Sequence, residues 1–318
     1  MQALRVLMLN HNVKERGTYF RCLAYARQLV LNGHRVDLLT ISRRRLWTFE
    51  SNMLDGVRII ESPDFARGYA RSGWDPWDTV RRILLLSRAR YDVVHGFDGR
   101  PAVRYPARFM QMRGMPYVSD WADWWGRGSV ISQRRSIWLN RFFSPIETYY
   151  EESCRHLADH ITVISSALFA RARALGIPSE RITRLPGGAE PDRIRPVDQK
   201  SARLRVSMDP FTPVVAYAGF VQYDIEFILQ VFSELARGHP HVRLLLVGPR
   251  VDTLVQALPS PVRKRVWQTG ILTAGDTLVH LAAADVLLLP FLPKVANLGR
   301  WPNKLGEYMC LAKPIVTN

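Results

Sequence analysis

The sequence is 318 residues long and 47% hydrophobic, with 44 Lys and Arg against 28 Asp and Glu, a formal net charge of +16 at pH 7. That length exceeds most single cores and predicts two domains, while the apolar content excludes a chain disordered throughout. No stretch reaches the roughly 18 consecutive apolar residues of a spanning helix, which predicts a soluble or peripheral protein.

In chain order, "ALRVLMLN" reads as a strand buried on both faces. "GTYFRCLAYARQLVLNG" follows as a helix with Gly33 at its C-terminal cap, and "HRVDLLTIS" as the next strand, together a βαβ unit. The alternation continues with strand "YDVVHGF", helix "RPAVRYPARFMQMRG", strand "MPYVS", the long helix "SIWLNRFFSPIETYYEESCRHLA", strand "HITVIS" and helix "SALFARARALG". Residues 186–212 crowd Pro, Gly and charge and read as a connector. The pattern then restarts with strand "VVAYAG", helix "DIEFILQVFSELARG", strand "VRLLLVG", a helix near "VDTLVQALP", strand "RVWQTG", helix "AGDTLVHLAAA", strand "DVLLLP", helix "NKLGEYMCLA" and strand "PIVTN". The expected fold class is α/β. Two Rossmann-like doubly wound domains with parallel sheets face each other across a cleft. The domain limits are 1–190, a connector at 191–212, and 213–318. Small-molecule sites in such sheets lie at the carboxyl ends of the strands.

The charge is unevenly spread. Residues 1–195 hold 31 Lys and Arg against 19 Asp and Glu; residues 196–318 hold 13 against 9. Almost all of the excess is arginine, which a GC-rich genome explains as well as a function does. No helix-turn-helix, finger or RNP pattern accompanies it, so nucleic acid is not an expected partner. A basic half facing anionic lipid headgroups or a phosphate-bearing substrate accounts for the asymmetry better. Cys22, Cys154 and Cys310 show no metal or redox spacing and read as buried free thiols of a reducing, cytoplasmic compartment. No His, Asp or Cys cluster suggests a metal.

The dinucleotide fingerprint GxGxxG is missing after the first strand of either half, which weakens a dehydrogenase reading. In "FLPKVANLGRWPNKLGEYMCLAKPIV" a loop with Lys294 and Arg300 leads to a helix. Asn303 reads as its N-cap, and its first turn offers free N–H groups to a phosphate, with Lys304 adding a point charge. Glu307, one turn on, suits a pair of sugar hydroxyls. In "YVSDWADWWGRG", Asp120 and Asp123 follow a strand end, where a carboxylate orients an acceptor hydroxyl or serves as its base. His95 and His11 are further rim candidates. The aromatics of "WADWW", "SIWLNRFF" and "GWDPW", mixed with arginines, form either core or an interfacial patch for a lipid-linked acceptor.

The stretches "GTYFRCLAYARQLVLNGHRVDLLT", "RITRLPGGAEPDRIRP" and "WPNKLGEYMCLAKPIV" resemble the group 1 (family 4) glycosyltransferases of the GT-B fold, and the resemblance runs from the first strand to the last residue. It implies transfer of a sugar from a nucleotide diphosphate donor, held mainly by the second domain, to an acceptor held by the first, with no cofactor. By the resemblance, Glu307 binds the donor's ribose, Lys304 and the backbone at Gly219 face the diphosphate, and Gly17 lies near the phosphates or the acceptor. The sequence also departs from the family. Gly299 stands where the first glutamate of the Glu-x7-Glu pair is expected, "FVQYDIEF" lacks the Arg and Lys that follow the glycine, Gly187 replaces an Asn, and Glu190 replaces an Asp. The family's chains continue beyond the last strand here, so the second domain is expected to be incomplete. The expected function is sugar transfer from a UDP- or GDP-linked donor to a bacterial cell-surface polysaccharide or glycolipid, with retention. The expected place is the cytoplasm, with peripheral contact to an anionic membrane. The alternatives are a sugar-nucleotide epimerase, a binding or scaffold protein, and, on charge alone, a nucleic-acid binder.

Overall fold

The structure is a computed structural model that describes residues 2–126, 129, 136–192, 194–219 and 224–318. Contacts divide the chain into two units, Met1–Pro186 with Lys294–Trp301, and Gly187–Pro293 with Pro302–Asn318.

The first unit comprises β1 (Arg5–Val13), α1 (Tyr19–Leu31), β2 (Arg35–Ile41), β3 (Glu50–Leu54), β4 (Val57–Ser62), α2 (Pro76–Leu86), β5 (Val93–Phe97), α3 (Pro101–Met112), β6 (Tyr117–Trp121), α4 (Ile137–Leu157), β7 (His160–Val163), α5 (Ser166–Ala174) and β8 (Ile182–Arg184). Its sheet runs in the order β3-β4-β2-β1-β5-β6-β7-β8. Along β1, Leu7 and Leu9 enter one hydrophobic cluster while Val6 and Met8 enter another. This strand is covered on both faces, which is why it reads as one apolar run. The pairing is parallel except at the edge, where β3 runs antiparallel to β4 from Glu50↔Glu61 to Leu54↔Val57. That hairpin corrects the purely parallel expectation. Its exposed outer strand alternates too weakly to stand out in the sequence.

Helix α2 also went unforeseen. Asp75 caps it by accepting from the Trp77 N–H, and Pro76 occupies the first helical position, where its missing N–H costs nothing. Its inward face carries charge. Arg82 Nε donates to Asp78 at 2.7 Å, and both side chains are fully buried. The same guanidinium donates to Asn10 O, Ala102 O and Ser62 Oγ, which ties α2 to β1, α3 and β4.

The second unit contains α6 (Gln199–Arg205), β9 (Val214–Ala218), α7 (Ile225–Gly238), β10 (Arg243–Val247), α8 (Asp252–Gln256), α9 (Ser260–Arg263), β11 (Val266–Gln268), α10 (Ala274–Ala282) and β12 (Val286–Leu288). After α11 (Val295–Leu298), which clusters with the first unit, come α12 (Asn303–Cys310) and β13 (Ile315–Val316). The sheet is parallel in the order β11-β10-β9-β12-β13. Along β10, Leu245 and Val247 pack on one face, Leu244 and Leu246 on the other. Within residues 191–212, read from the sequence as a connector, α6 is helical. Its Arg203 is buried, donating to Ala283 O and pairing with Asp285 at 2.8 Å. Cys22 and Cys154 are buried free thiols as expected, but Cys310 is only half-buried because it lies at the end of α12.

Candidate functional site

In each unit the strand order turns at a central strand, β1 in the first and β9 in the second, and the carboxyl end beside such a turn is where ligands of doubly wound sheets bind. Both points are crowded with polar side chains.

In the first unit, Gly17 sits in the loop between β1 and α1 with φ +53°, a left-handed turn that glycine adopts without strain. The next residue, Thr18, donates its N–H to Asn12 Oδ1 at 2.9 Å and its hydroxyl to Asp98 Oδ2 at 3.1 Å. Asp98 follows β5, also with positive φ, and is fully buried. His11 Nδ1 lies 3.5 Å from Asp98 Oδ2, and Arg155 approaches Asp98 Oδ1 at 4.0 Å. Burial, followed by the neighbouring Arg100, holds His11 well below the usual histidine range. Burial pushes Asp98 up, against the pull of Arg155.

Asp120, at the end of β6, is fully buried rather than open on a rim. Arg21 grips it with Nε and Nη2 at 2.9 and 2.8 Å, and Thr162 Oγ1 donates at 2.6 Å from the adjacent strand. Burial raises its proton affinity, but the charge and hydrogen bonds of Arg21 outweigh that, so Asp120 stays below the ordinary carboxylate value. Half-buried Asp123 is the opposite case. Burial and then the charge of Asp98 push it up, and Arg300 and Arg100 only partly offset them. His95 lies inside β5 rather than at its end, its ring 4.4 Å from that of Phe97, and burial pushes it down to about 4. It is a neutral sheet residue.

In the second unit, Gly219 follows β9 directly and its N–H donates to Val247 O. Lys304, in the first turn of α12, donates Nζ to the Tyr217 hydroxyl at 2.9 Å and stands 4.2 Å from the Tyr217 ring centre. A Cβ on Gly219 would meet Lys304 Nζ at 2.8 Å, so the ammonium lies against bare backbone at the strand end. Gly248, after β10, has φ +137°, and a Cβ there would strike Gly219 O at 2.2 Å. Tyr308 fixes α12 to the strand by accepting from the Ala218 N–H at 2.9 Å. Glu307 is partly buried, and burial raises its carboxyl against the opposing charge of Lys304. Asn303 is not the cap. Pro302 holds that position, no side chain caps the helix, and Asn303 is its exposed first residue.

The structure thus brings Gly219, Lys304 and Glu307 together in the second unit. Lys294, Arg300 and Gly17 belong to the first, with Lys294 exposed at the start of α11. Residues 220–223, where the sequence lacks the expected Arg and Lys, lie outside the described residues. A cavity of ≈ 370 Å³ lined by Arg243, Lys264 and Trp267 lies at the opposite, amino-terminal ends of β9, β10 and β11. Sequence reasoning missed Asp98, Arg155, Arg21, Tyr217 and Gly248. Only Asp98 left a signal, as an Asp-Gly turn directly after a strand.

A model of a glycosyl transferase 4-like domain matches residues 16–188, more than half of the chain, and a model of glycosyl transferases group 1 matches residues 212–318. The chain belongs to the group 1 glycosyltransferases. This glycosyltransferase is similar in structure to sucrose-phosphate synthase from Thermosynechococcus elongatus, with a TM-score of 0.74 at 18% identity, covering 99% of this chain and 81% of that one. It also resembles Anabaena HepE in complex with UDP, with a TM-score of 0.63 at 14% identity over 98% and 80% of the two chains. These likenesses show the GT-B fold for the glycosyltransferase. In sequence it is 35% identical over 71 residues to D-inositol 3-phosphate glycosyltransferase of Segniliparus rotundus, a match spanning 22% of this chain and 16% of that protein.

Proposed function

We propose that the protein transfers a sugar, with retention, from a nucleoside diphosphate sugar to a polysaccharide or glycolipid acceptor of the bacterial cell surface, working in the cytoplasm against the membrane. The observation that carries the donor assignment is the placement of Lys304 Nζ against the bare backbone of Gly219 at the turning point of the second sheet. A diphosphate there meets a point charge and the positive end of the α12 dipole, which is what a departing nucleotide needs. Glu307, one turn along, takes the ribose hydroxyls. Binding of UDP by HepE supports a nucleotide donor here.

On the acceptor side, Asp123 is the better base. Its raised proton affinity suits it to receive a hydroxyl proton, whereas the Asp120 oxygens are already engaged by Arg21 and Thr162. Calorimetric titration with UDP, GDP, ADP and their sugars tests the donor site. One nucleotide binds selectively, and Lys304→Ala and Glu307→Ala each weaken it by about tenfold or more, as loss of a charged hydrogen bond requires. Unchanged affinity in both variants would remove the donor assignment from this helix.

A further inference from the structure

Helix α4 is turned inside out. The residues it buries are Ser144, Glu147, Glu151, Cys154 and Arg155. Glu147 accepts from the Tyr69 hydroxyl at 2.8 Å; Glu151 accepts from Trp121 Nε1 at 2.9 Å and Gly126 N at 2.7 Å and pairs with Arg171 at 3.0 Å. Both inward carboxylates are therefore partnered. The outward face of the first turns is apolar, with Ile137 79%, Trp138 78% and Phe142 67% exposed, and with Leu139, Phe143 and Ile146 exposed beside them. A helix of a globular core has the reverse arrangement.

Farther along the same helix the exposed side chains become amphipathic. Tyr149 is exposed, and the Arg104 guanidinium stacks over Tyr149 at 5.1 Å and over the neighbouring, exposed Tyr105 at 5.6 Å. Apolar and indole side chains at one end, passing into Tyr and Arg, form the composition of a membrane–water boundary. At 1.5 Å per residue, the distance from Trp138 to Tyr149 is about 16 Å, which suits a helix lying along the headgroup region. Among the described residues no helix is long and apolar enough to cross a membrane.

Charge selects the occupant. Arg141 is exposed among these apolar side chains, Arg104 stands over Tyr105 and Tyr149, and Glu147, the one acidic residue in 136–149, is buried. A second copy docked face to face would set these like charges against each other, since a two-fold contact repeats the same patch on both sides. An anionic headgroup layer complements them.

We propose that the outward face of the first turns of α4 docks on an anionic lipid bilayer, with Trp138 and Phe142 inserted at the acyl boundary and Arg141 among the headgroups. The inference deepens the reading of a membrane-linked acceptor and rests on it only for its biological sense, because docking requires neither donor nor turnover.

The test is flotation of the full chain with vesicles of phosphatidylcholine alone and of phosphatidylcholine with phosphatidylglycerol, at low and high salt. Expected are binding to the anionic vesicles at low salt, weakening at high salt, and an affinity lowered about tenfold or more in Trp138→Ser/Phe142→Ser, as loss of two buried aromatic contacts requires. Because both side chains are exposed, the thermal transition of that double variant stays at the wild-type temperature. Three results would overturn the proposal: no flotation with anionic vesicles, equal flotation of the double variant, or no flotation together with a concentration-dependent dimer in sedimentation velocity that the double variant loses. Nucleotide titration is independent of all three, so failure here is separable from failure of the transferase reading.

Discussion

Asp120 and Asp123 stand close together in the sequence but in different surroundings, and their substitutions should fail differently. Asp120 is buried with Arg21 in a two-point grip, so Asp120→Ala leaves a buried guanidinium unpaired and costs about 3–5 kcal/mol of stability. Its folded proton affinity is lowered, so its contribution is present above the unfolded carboxylate value of about 4 and is lost as the pH falls through the folded value. Urea unfolding at successive pH values should therefore show a shallower acid limb in Asp120→Asn than in the wild type. For Asp123→Asn the loss should appear in kcat, with the unfolding midpoint little changed. Gly299 is a matter of space rather than conformation. Its φ of −85° is open to any residue, but a Cβ would sit 2.5 Å from Trp124 Cβ. Placing Ala there should lower stability by about 1–3 kcal/mol in chemical denaturation. The glutamate expected from the family pattern has no room at this position.

At the scale of elements, α2 shows how a buried ion pair can hide a helix from sequence reading. Asp78 and Arg82 sit where the pattern calls for apolar residues, and only the acceptors supplied by β1, α3 and β4 make that tolerable. Arg82→Met should cost about 3–5 kcal/mol, because Asp78 would remain buried without its partner. Burial already raises Asp78, and losing Arg82 raises it further, so the folded state of the variant takes up a proton that the unfolded state does not. Stability then falls as pH rises, and the deficit against wild type should be larger at pH 8 than at pH 5 in parallel denaturation curves. Helix α4 hid in another way. Its 3.6-residue period is plain in the sequence, but the period does not say which stripe faces in, and the apolar stripe faces out.

For the whole molecule, the two units have separate cores and separate polar clusters, and the donor assignment belongs to the second. Hydrogen exchange with the nucleotide that binds should slow the amides of residues 214–219 and 303–308 and leave those of β5 unchanged. Protection confined to β5 and its neighbours would instead place the donor on the first unit. Much of this organisation was legible in the sequence. Strands such as β1 and β10, covered on both faces, appear as unbroken apolar runs, and most helices between them keep their period, so the α/β class follows from local pattern alone, although α2 and the β3–β4 hairpin do not. The stretch around Lys304 and Glu307 was equally legible, because the turn, the helix start and the charge lie within a few residues. What needed the tertiary structure was every relation between distant residues. These include the grip of Arg21 on Asp120, the approach of His11 to Asp98, the stacking of Lys304 against Tyr217 beside Gly219, and the outward turn of the apolar face of α4. Burial and pairing set the charge of a carboxyl and the facing of a helix, and both depend on neighbours that the chain brings together only by folding.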